Sequence, residues 1–187
     1  MGMPDLLDSW TREQVLDLPD DGNRYELVDG ALLVTPSPRA LHQIAVWALS
    51  REVDGFVRRH AVGLMLGAPA DLDLRDGQLV QPDLFVIGHG PGGRPSEWAD
   101  FGVPVLVVEV LSPTTARYDR TIKRALYQRV GVPEYWIVDL DARLVERWRP
   151  EETRPEIVTG TLIWQPAGAP EPMTFDLEAL FKEVHDN

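Results

Sequence analysis

The sequence predicts a mixed α/β fold, of the α+β kind, in which a central mixed β-sheet is flanked by helices and preceded by a hairpin. Three stretches carry that expectation. Residues 105–111 form an apolar run rich in valine and interrupted only by Glu109, which is the pattern of a central strand covered on both faces. Residues 112–130 read as a helix and 135–139 as a strand, and the order strand, helix, strand implies a parallel pair joined by a right-handed crossover. Residues 25–28 and 31–34 flank Asp29-Gly30, and an Asp-Gly pair supplies the positive φ angles that a two-residue hairpin turn needs.

The other elements follow in chain order. Residues 11–18 begin Thr-Arg-Glu-Gln, the spacing of a capping box, and meet Pro19, so a short helix precedes the hairpin. Thr35-Pro36-Ser37-Pro38 breaks the pattern, and then Leu41, Ile44, Ala45, Ala48, Leu49, Val53 and Phe56 recur at helical spacing over 40–60. Residues 64–66 and 70–74 read as extended, Asp76-Gly77 as a turn, and 79–87 as one strand with Pro82-Asp83 near its entry. Within 70–74, Asp71 and Asp73 alternate with Leu72 and Leu74 and so belong to the wet face of a strand. Residues 88–95, rich in Gly and Pro, read as a surface loop. Gly131 suits the position just past the crossover helix, and Pro133 bars continuation. Residues 144–149 should return antiparallel after a turn near Asp141, 151–156 form an exposed loop, 161–164 add an edge strand, and 175–184 make a last helix.

The 187 residues suit one domain over 1–187, with a core at about 24–150. A composition 44% hydrophobic and 26% charged excludes disorder, and no apolar run is long enough to cross a bilayer. The acidic start lacks the apolar core and cleavage site of a secretory signal. Without cysteine, thiolate zinc centres, disulfides and cysteine nucleophiles are all excluded, and a cytoplasmic address is expected. The net charge of −12 argues against a broad nucleic-acid surface, because such surfaces carry an excess of Lys and Arg. A local one is still available: Arg117, Arg120 and Arg124 form a stripe on the crossover helix. It reads either as a phosphate track or as an ordinary solvated helix face.

Glu109 is the sharpest anomaly, because a carboxylate inside a doubly covered strand costs several kcal/mol unless a cation compensates it. Asp83, after Pro82, lies on the preceding predicted strand, and if the two strands pair, the carboxylates can converge on one face. Two close carboxylates repel, and a hard dication such as Mg²⁺ or Mn²⁺ stabilises them together. A site of that kind would suit metal-assisted hydrolysis of a phosphodiester. Asp119, Lys123 and Tyr127 stand at steps of four beside the apolar stripe of Ile122, Leu126 and Val130, so Lys123 can reach back toward the end of the strand.

Tyr25-Glu26-Leu27-Val28-Asp29-Gly30, Ser37-Pro38 with His42, Gln81-Pro82-Asp83-Leu84, Val108-Glu109-Val110-Leu111-Ser112-Pro113 with Asp119, Lys123 and Tyr127, and residues 131–139 together resemble the motif series of the Uma-two family of restriction-endonuclease-like proteins. The resemblance implies a restriction-endonuclease-like PD-(D/E)XK core and a Mg²⁺- or Mn²⁺-dependent endonuclease acting on DNA as a homodimer. It implies Asp83 and Glu109 as metal ligands and Lys123 as a displaced form of the superfamily's lysine, whose usual place is taken by Leu111. Glu26 matches a further acidic position that would complete the metal shell, and His42 a polar position of the first long helix that could touch substrate.

Each of these residues also has a plainer reading. Asp83 can be a strand-entry aspartate after proline, Glu109 half of a structural ion pair with a neighbouring helix, and Lys123 the surface partner of Asp119. Glu26 can be a solvated hairpin residue, and His42 a capping or packing histidine. The six tryptophans are more simply core or interface material than base-stacking platforms. The rival to catalysis is a degenerate nuclease fold serving as an interaction or dimerisation module. A sugar hydrolase using the same two acids lacks an aromatic platform placed by the sequence.

Overall fold

The computed structural model describes residues 9–74, 77–89 and 101–186. In chain order the elements are α1 (Arg12–Leu16), β1 (Arg24–Val28), β2 (Ala31–Thr35), α2 (Ala40–Arg59), β3 (Gly63–Leu66), β4 (Leu72–Leu74), β5 (Gln78–Val80), β6 (Leu84–Gly88) and β7 (Leu106–Val110). There follow α3 (Ala116–Tyr118), a π-helical turn (Asp119–Lys123), α4 (Arg124–Val130), β8 (Tyr135–Asp139), β9 (Leu144–Trp148), β10 (Glu156–Val158), β11 (Thr161–Trp164), β12 (Met173–Asp176) and α5 (Leu177–Asp186).

The central sheet has six strands in the order β10-β9-β8-β7-β6-β3. β7 and β8 pair in parallel, as the crossover requires, and the other neighbours are antiparallel. All of β7 is buried, because both faces of the sheet are covered. On one face α2 and α5 pack over Leu84, Val86, Leu106, Val108 and Trp136, with Trp136 edge-on to Trp164 at 6.0 Å between centroids. On the other face Phe85, Ile87, Val107, Tyr135 and Ile137 meet α4 and a second sheet. That sheet, in the order β2-β1-β5-β4, carries α1 on its far side through Val15, Leu27 and Leu79.

Local signals account for most of these elements. Thr11 and Gln14 close the capping box at the start of α1. Asp29 and Gly30 take φ of 50° and 79° in the β1–β2 turn, with Val28 opposite Ala31. α4 ends at Gly131, left-handed at φ 83°.

Four expectations need correction. Residues 79–87 are two strands: β5 belongs to the second sheet and β6 to the central one, because Pro82 has no N–H to give a ladder and the chain changes sheet there. Residues 161–164 are not an edge of the central sheet but pair with β12 in a separate ribbon, and β12 takes the first two residues expected of the last helix. The exposed stretch ending at Glu156 runs into β10, an edge strand too short and too exposed to show a period of two. The crossover helix starts at Ala116 and is widened by the π-helical turn. Of the expected turn at Asp76-Gly77, Asp76 lies outside the described residues, as do 90–95 of the expected loop and 1–8 of the start. No described helix is long and apolar enough to cross a membrane.

Candidate active site

The pairing of β6 with β7 sets Leu84 against Val108, and one step further Asp83 stands across from Glu109. Residues directly opposite in an antiparallel pair point to the same face. The two carboxylates therefore share the face that looks toward α4 and the second sheet, at the end of β7. Asp83 is 4% and Glu109 2% exposed. Both line one cavity of about 150 Å³, together with His42, Arg24, Asp119 and Lys123.

Asp83 is held by three donors. The Val110 N–H donates to its Oδ2 at 2.8 Å, His42 Nε2 lies 3.0 Å from the same oxygen, and an Arg24 guanidinium nitrogen donates to Oδ1 at 3.1 Å. Burial alone would raise its pKa, but the contact with His42, then the charge of Arg24 and the Val110 N–H, outweigh it and hold the carboxyl below its ordinary value.

Glu109 lives in different surroundings. Lys123 Nζ donates to its Oε1 at 2.9 Å, and the Tyr127 hydroxyl donates to the same atom at 3.3 Å. Burial, helped by the charges of Asp119, Asp83 and Glu26, drives its pKa well above the ordinary value despite Lys123. Lys123, only 2% exposed, is also 2.9 Å from Glu26 Oε1 and 3.5 Å from Asp119 Oδ1. Burial opposes its charge, yet Glu109, Glu26 and Asp119 together keep the ammonium protonated.

The cluster thus sets four carboxylates, Glu26, Asp83, Glu109 and Asp119, against two permanent cations, Lys123 and Arg24. A surplus of negative charge remains at a buried site, and a proton on Glu109 or an added cation must meet it. His42 Nδ1 and Asp119 Oδ1 are buried and accept or donate no hydrogen bond. This donor set fits a hard dication at Asp83 and Glu109. Among the described residues no three His, Asp or Glu side chains gather closely enough to hold an ion by themselves, so the protein would supply part of a coordination shell and leave the rest to water and substrate.

The sequence-predicted residues fall into two groups. Asp83, Glu109, Lys123, Glu26 and His42 come together. Glu26, expected in a metal shell or in solvent, is 1% exposed. It stands behind Lys123, with its Oε1 also accepting from the Gln81 N–H at 2.8 Å, and it does not line the cavity. The arginine stripe is placed elsewhere. Arg120 is bound to Glu146 at 2.6 Å and Asp139 at 2.8 Å, Arg124 lies 4.8 Å over the Trp148 ring, and Arg117 is exposed. Arg24 was not anticipated. The signal for it was the period of two in β1, which puts Arg24 on the same side as Glu26. Asp119 was anticipated only as a surface partner of Lys123 and is instead 1% exposed.

Residues 12–180 match the sequence pattern of the Uma2 family, described as "Putative restriction endonuclease". Among solved structures, the chain is similar to the crystal structure of "a putative nuclease belonging to DUF820" from Anabaena variabilis, at 20% identity and a TM-score of 0.73, over 94% of this chain and 99% of that one. At that identity the likeness is one of fold: a central mixed sheet flanked by helices. No curated protein matches. The family match runs from α1 into α5 and includes every residue of the cluster, and the chain therefore belongs to the Uma2 family.

Proposed function

We propose that the protein is a metal-dependent endonuclease that hydrolyses phosphodiester bonds in DNA, with Asp83 and Glu109 holding Mg²⁺ or Mn²⁺. One observation carries the reading: two buried carboxylates from paired strands and the ammonium of Lys123 line a single cavity, within a cluster that sets Glu26, Asp83, Glu109 and Asp119 against Lys123 and Arg24. Magnesium is commonly held by one or two carboxylates, its other positions left to water and phosphate, and a two-carboxylate donor set agrees with that habit. When bound, the ion lowers the pKa of water and neutralises charge on phosphoryl oxygens.

The chain's own groups have separable tasks. Lys123 offers a fixed positive charge at the cavity wall, where negative charge builds on the phosphate during attack. Glu26 does not reach the cavity, and it holds the Lys123 ammonium in place from behind. His42, Arg24 and the Val110 N–H orient Asp83 and keep it ionised, the role outer partners play for a metal-ligating carboxylate.

The test is cleavage of circular DNA with Mn²⁺. Wild type cuts, while Asp83→Asn and Glu109→Gln, checked for native folding, do not. Equal cutting by the variants would trace the activity to a contaminant and end the proposal. A second reading has its own support: Lys123 and Tyr127 already satisfy Glu109 Oε1 without any metal, as in a nuclease fold that has become an interaction module. Calorimetric titration separates the two, since the module predicts no saturable Mn²⁺ site dependent on Asp83.

A further inference from the structure

We propose that the DNA this site takes is unpaired, with the base beside the reacting phosphate lodged in a second cavity and neighbouring bases stacked along α2 as far as Trp47. The inference rests on the nuclease reading and adds the form of the substrate. A cavity of about 370 Å³ adjoins the one at Asp83 and Glu109 and shares Arg39, His42, Ser112 and Pro113 with it. Its remaining walls combine apolar side chains, Leu41, Leu111 and Leu140 among them, with the paired Arg120 and Asp139 and the exposed Asp141.

From that cavity an apolar surface continues along α2. Leu41, Ile44 and Trp47 follow at steps of three and are 37%, 44% and 68% exposed. At 1.5 Å per residue, Trp47 stands about 9 Å along the axis from Leu41. It departs from Trp136, Trp148 and Trp164, which are buried. An exposed indole about 9 Å along the helix from the recess and about a third of a turn around it offers a stacking face to a strand that winds across α2.

Depth and charge favour a single strand over a duplex. The two carboxylates are almost wholly buried in the wall of a cavity of about 150 Å³, and a flexible unpaired backbone bends one phosphate toward them at less cost than a stiff duplex does. Duplex binding leans on many phosphate contacts, whereas this chain carries −12, and Arg24 and Arg120 are bound to acids. Arg39, exposed at the seam of the two cavities, is a cation placed to meet a phosphate there. Strand binding relies instead on stacking. A second copy of the chain is the rival occupant, but three side chains of at most about 250 Å² each fall short of the roughly 800 Å² per partner of a stable interface.

Fluorescence anisotropy with a short labelled oligonucleotide, single-stranded or annealed to its complement, in Ca²⁺ to permit binding without turnover, tests this. The single strand should bind at least tenfold more tightly, on the scale of a stacked base. Trp47→Ala should weaken that binding by about fivefold or more with thermal unfolding unchanged, and Ala142→Trp, which fills the second cavity from an exposed turn, should do the same. Equal or tighter duplex binding, or full strand affinity in Trp47→Ala, overturns the inference. So does light scattering in which Trp47→Ala turns a dimer into a monomer while strand binding persists. Trp47-dependent strand binding without cleavage would refute the nuclease reading alone; unimpaired duplex cleavage by Trp47→Ala would refute this inference alone.

Discussion

Replacing Lys123 by Met removes the one ammonium that lies 2.9 Å from Glu109, 2.9 Å from Glu26 and 3.5 Å from Asp119. Methionine fills a similar volume, so the loss is chiefly one of charge. With the side chain 3% exposed, water cannot replace it. Breaking a buried ion pair from one side costs about 3–5 kcal/mol, which for a chain of this size lowers the melting temperature by about 6–20 °C. The deficit should depend on pH in a definite direction. Burial and the neighbouring acids already put the folded-state pKa of Glu109 above its unfolded value, and loss of Lys123 moves it further the same way. Such a group binds more protons folded than unfolded, so its favourable contribution is complete below the unfolded value of about 4.3 and is lost as pH rises through the folded one. Thermal melts in EDTA from acid to neutral pH should therefore show the variant's deficit smallest near the acid end and growing toward neutrality. Adding Glu109→Gln to Lys123→Met should recover part of the loss through the coupling of the pair. A melting temperature within error of wild type at neutral pH would refute the argument that Lys123 neutralises the acids around it.

Three further outcomes follow from the same geometry. Mn²⁺ at a hundred times its dissociation constant should stabilise wild type by about 2.7 kcal/mol, seen as a rise in melting temperature that Asp83→Asn abolishes; an equal rise in that variant would place the ion elsewhere. At Gly67 an added Cβ would overlap the carbonyl oxygen of Asp83, so Gly67→Ala should weaken the Mn²⁺ response at least tenfold in calorimetry, and an unchanged affinity would show that the backbone around Asp83 has room to shift. His42→Ala removes one of the donors at Asp83 Oδ2 and should lower the Mn²⁺ response by about 10- to 100-fold, the usual effect of losing a group that orients a ligand; an unaltered titration would reduce His42 to packing.

The π-helical turn gives a physical account of the ammonium beside Glu109. Position 111, two residues on, is Leu111, part of the apolar surroundings of the second cavity. The ammonium comes from the crossover helix, where the turn Asp119–Lys123 buries both of its end residues. Such wide turns recur at functional sites in helices, and this one brings an acid and a base to the cavity from a single element.

Local physical chemistry made much of the molecule legible from its sequence. Asp29-Gly30 dictates the hairpin, the recurrence of Leu49, Val53 and Phe56 dictates α2, and the run around Glu109 followed by a helix and a strand dictates the parallel pair, because turn angles and periodicity act within a few residues. Glu109 itself stood out because a charge in an apolar run violates that pattern. Tertiary structure alone decided what surrounds it. The alternation in β1 says which way Glu26 and Arg24 point but not that this side is covered, and their partners lie 97 and 59 residues away, at Lys123 and Asp83. The sheet change at Pro82 and the pairing of β11 with β12 likewise depend on which surfaces remain open once the central sheet has formed. Burial is a property of the packed layers, and the strength of every charge in this cluster is set by burial.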